Sequence, residues 1–290
     1  MLPNLTDLRK IARSRSSLLR TAEKGLLSRA ATMERKLNAY VLRTLIPSMQ
    51  IRNSKLVNTA VNLKKINKAT GLKRFMHTVV DAAMYDYYDK QFNAVNVATT
   101  KYYSGFAPTE ATVNGIISKG KIASDGFIDD LFDNNQIVKQ LQDTIRKNII
   151  TETSTADVTQ LLTEQIKGKN DKFGLIKSYH YQNGYDQMQN YSRQLDTQFS
   201  KALKLNYAIY AGGEIQDTRE FCAHRNGNVY NRETILSWNH TPATWAGRKP
   251  NNDILIDMGG YNCRHDFDWI SYALARRIDP NIEKSEFDTK

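Results

Sequence analysis

The stretch that organises this chain reads NYAIYAGGEIQDTREFCAHRNGNVYNRETI over Asn206–Ile235 and DMGGYNCRHDFDWI over Asp257–Ile270. Both cysteines of the 290-residue protein lie here, in matching frames, Cys222-Ala-His224 and Cys263-Arg-His265. Each frame stands beside glycines that favour a tight turn. Two turns about forty residues apart therefore carry the same pair of metal-binding side-chain types.

Two thiols and two imidazoles can close a tetrahedral shell around zinc, so Cys222, His224, Cys263 and His265 are predicted to bind a structural zinc ion. The spacing is shorter than usual, because zinc ligand pairs more often have two to four residues between them. Two alternatives stay open at this stage. The cysteines can be reduced and packed with hydrogen-bonded histidines in a small core, or they can form a disulfide. Two cysteines in 290 residues is a usage typical of a reducing compartment, which disfavours the disulfide.

Three motifs follow one another in this stretch: Asp217-Thr218-Arg219-x-x-Cys222, Asn226-Gly227-x-x-Tyr230 and Gly259-Gly260-Tyr261-Asn262-Cys263-Arg264-His265. Together they resemble the C-terminal domain of tailed-phage head-morphogenesis proteins, the minor capsid proteins of the Mu F type. The resemblance covers residues 150–270, and only the last sixty or so are specific. It implies a set of domain-motif residues, which are Asp217, Arg219, Gly227, Gly260, Tyr261, Asn262 and Arg264.

The resemblance implies a structural protein of the virion, not an enzyme. Such a protein is made in the host cytoplasm and binds the portal vertex or the capsid interior. Its role is in head assembly or in DNA packaging and ejection. The alternative is a metal-dependent nuclease or toxin-like domain, in which histidines and asparagines such as His224, Asn239 and His240 hold a divalent ion near a phosphate.

Charge is distributed unevenly along the chain. Residues 1–80 contain 17 Lys or Arg against three acidic residues, a net charge of +14 in a protein whose total is +11. A basic arm of this kind is the electrostatic signature of a polyanion partner, and phosphate contacts of this type are insensitive to base sequence. An acidic protein partner and a simply solvated helix face are the alternatives. The predicted double-stranded DNA contacts are Arg9, Arg13, Arg15, Arg20, Lys64, Lys65, Lys68, Lys73 and Arg74.

Apolar residues recur at helical spacing through most of the first 204 positions. The predicted fold is mainly α, a long-helix N-terminal region followed by a small α+β C-terminal domain. The predicted domains are a basic helical arm (1–74), a helical region (75–204), the Cys/His domain (205–275) and a tail (276–290). Two apolar stripes, Leu19–Val41 and Tyr85–Tyr102, predict docking or self-association through the N-terminal helices. No run of eighteen apolar residues occurs, and no membrane partner is expected.

Overall fold

Long helices form the N-terminal region, and a small antiparallel sheet with short helices forms the C-terminal region, which confirms the predicted fold class. The computed structural model describes residues 3–132, 136–216, 218–240, 253–260 and 262–289. The described α-helices are α1 (Leu5–Tyr40), α2 (Ala60–Lys68), α3 (Thr70–Phe75), α4 (Ala82–Ser104), α5 (Glu110–Phe132), α6 (Gln136–Ile150), α7 (Thr155–Lys167), α8 (Leu175–Ala202), α9 (Glu220–Ala223), α10 (Arg232–Ser237), α11 (Ile254–Asp257) and α12 (Tyr272–Ile278), and π-helices cover Val41–Leu45 and Met76–Asp81. The strands are β1 (Ile51–Arg52), β2 (Lys55–Leu56), β3 (Tyr207–Gly212), β4 (Val229–Asn231) and β5 (His265–Ile270).

The chain divides into two structural units, each assembled from segments distant in sequence. The first unit contains Met1–Thr21, Gln91–Gly126 and Tyr185–Lys290, and the second contains Ala22–Lys90 and Phe127–Gly184. The boundaries fall within α1, α4, α5 and α8. The four sequence domains predicted above remain a prediction.

The three-stranded sheet of the first unit has the order β4-β3-β5, with β3 antiparallel to both neighbours. Tyr207 of β3 pairs with Asn231 on one side and Ile270 on the other, and Gly212 at the far end pairs with His265. All six residues of β5 are buried, which is unusual because two of them, Asp266 and Asp268, are aspartates. The sheet therefore brings charged side chains into the core of this unit.

The second unit packs α2 against α6 and α6 against α7. Ser154 caps α7, because its side chain accepts a hydrogen bond from the backbone N–H of Asp157. The hairpin of β1 and β2 is joined to the segment just before α7, since the backbone N–H of Leu56 donates to the carbonyl of Thr153 at 3.1 Å.

The first predicted apolar stripe is covered within the chain. Its seven members are almost fully buried: Leu19, Ala22, Leu26, Ala30, Met33, Leu37 and Val41. In the second stripe Tyr88, Phe92, Val95 and Tyr102 are buried, whereas Tyr85 is exposed. The apolar surface that suggested self-association is thus used internally. Self-association stays a prediction without that argument. Among the described helices, none combines the length and apolar character needed to cross a membrane.

Candidate metal centre and basic surface

Cys222, Cys263 and His265 form a buried group in the first unit. Their ligand atoms all lie within 4.8 Å of one another. The two sulfur atoms are 3.9 Å apart, and Sγ of Cys263 lies 4.0 Å from Nδ1 of His265. Zinc–sulfur bonds of 2.3 Å at a tetrahedral angle place two sulfurs about 3.8 Å apart, so the pair has the separation that zinc requires. A disulfide needs about 2.05 Å, and both cysteines are free thiols.

Three local structures converge to build this group. Cys222 lies in the short helix α9, Cys263 in the turn before β5, and His265 is the first residue of β5. Gly259 leaves room for both sulfurs, because a Cβ on that residue would lie 2.5 Å from Sγ of Cys222 and 3.1 Å from Sγ of Cys263. Only glycine lets this backbone approach both sulfurs.

The two thiols are not equivalent electrostatically. Cys263 accepts a hydrogen bond from Cys222, and with His265 and Arg193 nearby its pKa falls well below the ordinary value despite its burial. Donating that proton raises the pKa of Cys222, and burial raises it further. Tyr210 Oη donates to Sγ of Cys222 at 3.2 Å. The surroundings therefore favour the thiolate form at Cys263 more than at Cys222, and the thiolate is the form that binds metal.

Arg193 of α8 fixes the backbone around the group. Its guanidinium donates to the carbonyls of Cys263 at 2.7 Å, His265 at 2.8 Å and Ile256 at 2.9 Å. Its Nε also lies 3.4 Å from a carboxylate oxygen of Asp266, and both side chains are buried. Arg193 was not among the predicted site residues; it lies between the apolar positions Tyr191 and Leu195 of α8.

His224 does not join the other three predicted ligands. It is exposed at the C-terminal end of α9, where its carbonyl accepts a hydrogen bond from Asn228 Nδ2. The described group thus supplies three protein ligands. Zinc takes four ligands, so one further group would complete the shell.

His265 supports a metal at this position. Its Nε2 is buried, and the described part of the chain offers that atom no hydrogen-bond partner. The nitrogen recorded beside the sulfurs is Nδ1, 4.0 Å from Sγ of Cys263, so the fit to a metal rests on the donor set and not on the unpartnered Nε2. Two thiols and one imidazole are the borderline-soft donors that zinc prefers, so the residues present fit the ion.

The remaining motif residues shape the turns that carry the ligands. Gly260, at φ +90°, and Asn262, at φ +55°, take left-handed conformations just before Cys263. The backbone N–H of Asn262 donates to Asp186 of α8 at 2.9 Å, and the Arg264 guanidinium lies over the Tyr185 ring at 5.1 Å. The motif that precedes β5 is therefore tied to α8.

The motif residues around α9 also shape the backbone beside a ligand. Arg219 is the N-cap of α9, and its carbonyl accepts from the backbone N–H of Cys222 at 2.8 Å. Gly227, at φ +85°, donates its N–H to the carbonyl of Tyr210 in β3 at 2.7 Å. Asp217 and Tyr261, the other two predicted motif residues, lie outside the described residues.

The predicted DNA-binding residues fall into two exposed sets and one exception. The exposed sets are Arg9, Arg13 and Arg20 on α1 of the first unit, and Lys64, Lys65, Lys68, Lys73 and Arg74 on α2 and α3 of the second unit. The exception is Arg15, which is 1% exposed and ion-paired with Asp196 and Asp268. The prediction that Arg15 contacts DNA is wrong, because its guanidinium is buried and already bound to carboxylates.

Comparison with known proteins adds no relative to this description. Searches against protein-family models, curated proteins and solved structures find no match for the chain. The resemblance to Mu F-type head-morphogenesis proteins therefore rests on the motif residues alone. What the structure adds is that the described motif residues lie in the two turns that bring Cys222, Cys263 and His265 together.

Proposed function

We propose that this chain is a minor head protein of a tailed phage or prophage, located at the portal vertex or the capsid interior. Its role is in head assembly or in DNA packaging and ejection. One observation carries the proposal: motif segments about forty residues apart in sequence meet at one buried group. A resemblance arising by chance in unrelated loops gives no reason for its residues to converge.

We also infer that the buried group binds zinc as a structural ion. Cys222, Cys263 and His265 would hold the ion and so join α9 to the start of β5, and Arg193 holds the backbone around them through the carbonyls of Ile256, Cys263 and His265. Bonds of this kind contribute directly to the free energy of unfolding of a small domain. Burial of all three ligands favours a structural ion over a site that must admit a substrate.

The experiment is reconstitution of heads with proteins of the same genome. The chain is co-expressed with portal and major capsid proteins from the genome that encodes it, and particles are isolated on a density gradient. The proposal expects the chain to co-sediment with particles at a fixed ratio to portal. A particle fraction free of the chain, together with no binding to isolated portal, would overturn it.

Two matched variants and one assay separate the alternatives. Cys263→Ser should reduce incorporation, because the C-terminal fold loosens, whereas His224→Gln should be incorporated like the wild type. The purified chain is also incubated with duplex DNA and Mg²⁺, Mn²⁺ or Zn²⁺. Metal-dependent cleavage that disappears in Cys263→Ser or His224→Gln would instead support the nuclease alternative.

A further inference from the structure

A groove with three arginines runs along the first turns of α1 in the first unit. Arg9, Arg13 and Arg20 line it from the helix, and Gly212, Gly213 and Gly227 line it from the end of β3 and the turn before β4. Its volume is about 350 Å³. We call this feature the arginine groove.

The three arginines line the groove, and the Asp268 carboxylate attracts Arg9 without forming an ion pair with it. In the described part of the chain, the hydrogen bonds and ion pairs involve none of Arg9, Arg13 or Arg20. The acidic residue lining the groove is Asp268, and its carboxylate is bound by Arg15 at 3.2 Å. The groove lining therefore holds three arginines against one acidic residue and keeps a net positive charge.

The spacing of the arginines matches a ligand with repeated charges. The helix rises 1.5 Å per residue, so Arg9 and Arg20 are about 17 Å apart along its axis. The planar guanidinium binds phosphate through two parallel hydrogen bonds, which a single compact anion needs from one arginine only. A row of three over this length suits a chain of phosphates.

The rest of the lining indicates which part of a nucleic acid is bound. None of the side chains described as lining the groove is aromatic, so bases have no platform on which to stack. Gly213 and Gly227 leave the opposite side open to a backbone, because an added Cβ would meet only Arg20 at 3.8 Å or nothing within 4 Å. Contact with phosphate and sugar, without base readout, is the mode that such a surface supports.

We propose that the arginine groove binds the phosphodiester backbone of duplex DNA without sequence preference. The biological setting rests on the proposed function, which places the chain beside packaged DNA, but the binding itself is measured independently of heads. The groove is distinct from the lysine set on α2 and α3, which belongs to the other structural unit.

The test is fluorescence anisotropy of the full chain with a labelled duplex of random sequence over a range of salt concentrations. Each phosphate contact contributes about −0.9 to the slope of log affinity against log salt. The single variants Arg9→Gln, Arg13→Gln and Arg20→Gln should each reduce the slope by about 1, and the triple variant should lose tenfold or more in affinity at low salt. The matched controls Lys10→Gln, on α1 outside the groove lining, and Arg277→Gln, exposed on α12, should lose much less.

A second pair of variants leaves every arginine in place. A Cβ on Gly213 would meet only the Arg20 guanidinium, at 3.8 Å, and this glycine has no left-handed φ, so the fold admits a side chain. Gly213→Asp should place a carboxylate in the groove and abolish the arginine-dependent binding. Gly213→Asn has the same size without the charge and should retain most of it.

The outcomes are separable from those of the head experiment. The proposed DNA binding in the groove is overturned if a folded triple variant binds duplex like the wild type. It is also overturned if inorganic phosphate fully displaces the duplex at matched ionic strength. Equal binding of a single strand and duplex, or binding of an acidic peptide in place of DNA, also overturns it. Loss of DNA binding in a variant that still enters heads supports the groove, whereas a chain that binds DNA but never enters heads contradicts only the proposed function.

Discussion

Nη1 of Arg15 donates a 2.5 Å hydrogen bond to Oδ1 of Asp196, although the two residues are 181 positions apart in sequence. Nη2 of the same guanidinium reaches Asp268 of β5 at 3.2 Å, and Tyr103 Oη donates to the same oxygen of Asp196 at 3.0 Å. One arginine of α1 therefore joins α8 to the edge strand β5. This network lies in the core of the first unit, where charges are stable only when paired.

Replacing Arg15 should lower the free energy of unfolding far more than replacing the exposed Arg13. Arg15→Met leaves two buried carboxylates without their counter-charge, and breaking a buried pair in this way costs about 3–5 kcal/mol of unfolding free energy. Arg13→Met, two positions away and exposed, should cost within about 0.5 kcal/mol. Urea unfolding of both variants measures the difference. Equal costs would mean that the ion pairs contribute little.

The pH dependence of stability tests the same network from the carboxylate side. Burial raises the pKa of Asp268 to about 7 and of Asp196 to about 6, against the attraction of Arg15 in each case. Unfolded aspartate titrates near 3.9, so between about pH 4 and pH 7 the folded chain binds more protons than the unfolded chain. The contribution of these two groups should therefore fall as pH rises through that window and level off above it.

Asp268→Asn should flatten this dependence, because the amide does not titrate. The urea midpoint of wild type and variant, followed from pH 5 to pH 8, gives the comparison. A variant whose stability changes with pH as steeply as the wild type would assign the effect to other groups. One such group is Glu34 of the second unit, whose pKa burial raises to about 7.

The helices and strands were predictable because their signals are local. Apolar residues at helical spacing predicted helices through most of the first 204 positions. Arg15 was misassigned because basic residues on a helix are usually solvated. Its position continues the buried stripe at Leu8, Ala12 and Leu19, which was the signal against exposure.

The site was predictable in its chemistry but not in its ligand set. Cys222, Cys263 and His265 were expected to meet, and they do. Because both frames read Cys-x-His, His224 was expected to bind the metal as His265 was. The frames differ structurally, since one continues a helix end into solvent and the other enters a buried strand. Arg193 comes from α8, whose C-terminal half is buried on nearly all sides, and that burial depends on tertiary packing alone.

Zinc content should depend on one histidine and not the other. Purified wild-type chain is expected to contain about one zinc ion, and both Cys263→Ser and His265→Gln should lose it and melt at a lower temperature. His224→Gln should retain the ion, because that side chain is exposed and outside the group. Elemental analysis and thermal melts measure both effects.

Acidification and thiol titration extend that test. Ligand protonation competes with the metal, so zinc affinity should fall as pH is lowered. The zinc proposal is contradicted if the purified protein contains no metal and its melting curve does not change with chelator. If its two thiols also react freely after denaturation, the cysteines are packed core residues. If neither thiol reacts until a reductant is added, the cysteines form a disulfide instead.

Gly259 offers a test of the same site that changes no ligand. A methyl group there would lie 2.5 Å from Sγ of Cys222 and 3.1 Å from Sγ of Cys263, so the turn or the sulfurs must move. Gly259→Ala should lower zinc occupancy and cost about 1–3 kcal/mol, the range for overpacking a filled core. Gly115→Ala is the matched control, because its Cβ would meet nothing within 4 Å on α5 and alanine favours the helix by up to about 1 kcal/mol. Full zinc occupancy and unchanged stability in Gly259→Ala would show that the backbone beside the sulfurs yields freely. The close approach of this glycine would then have no part in holding the ion.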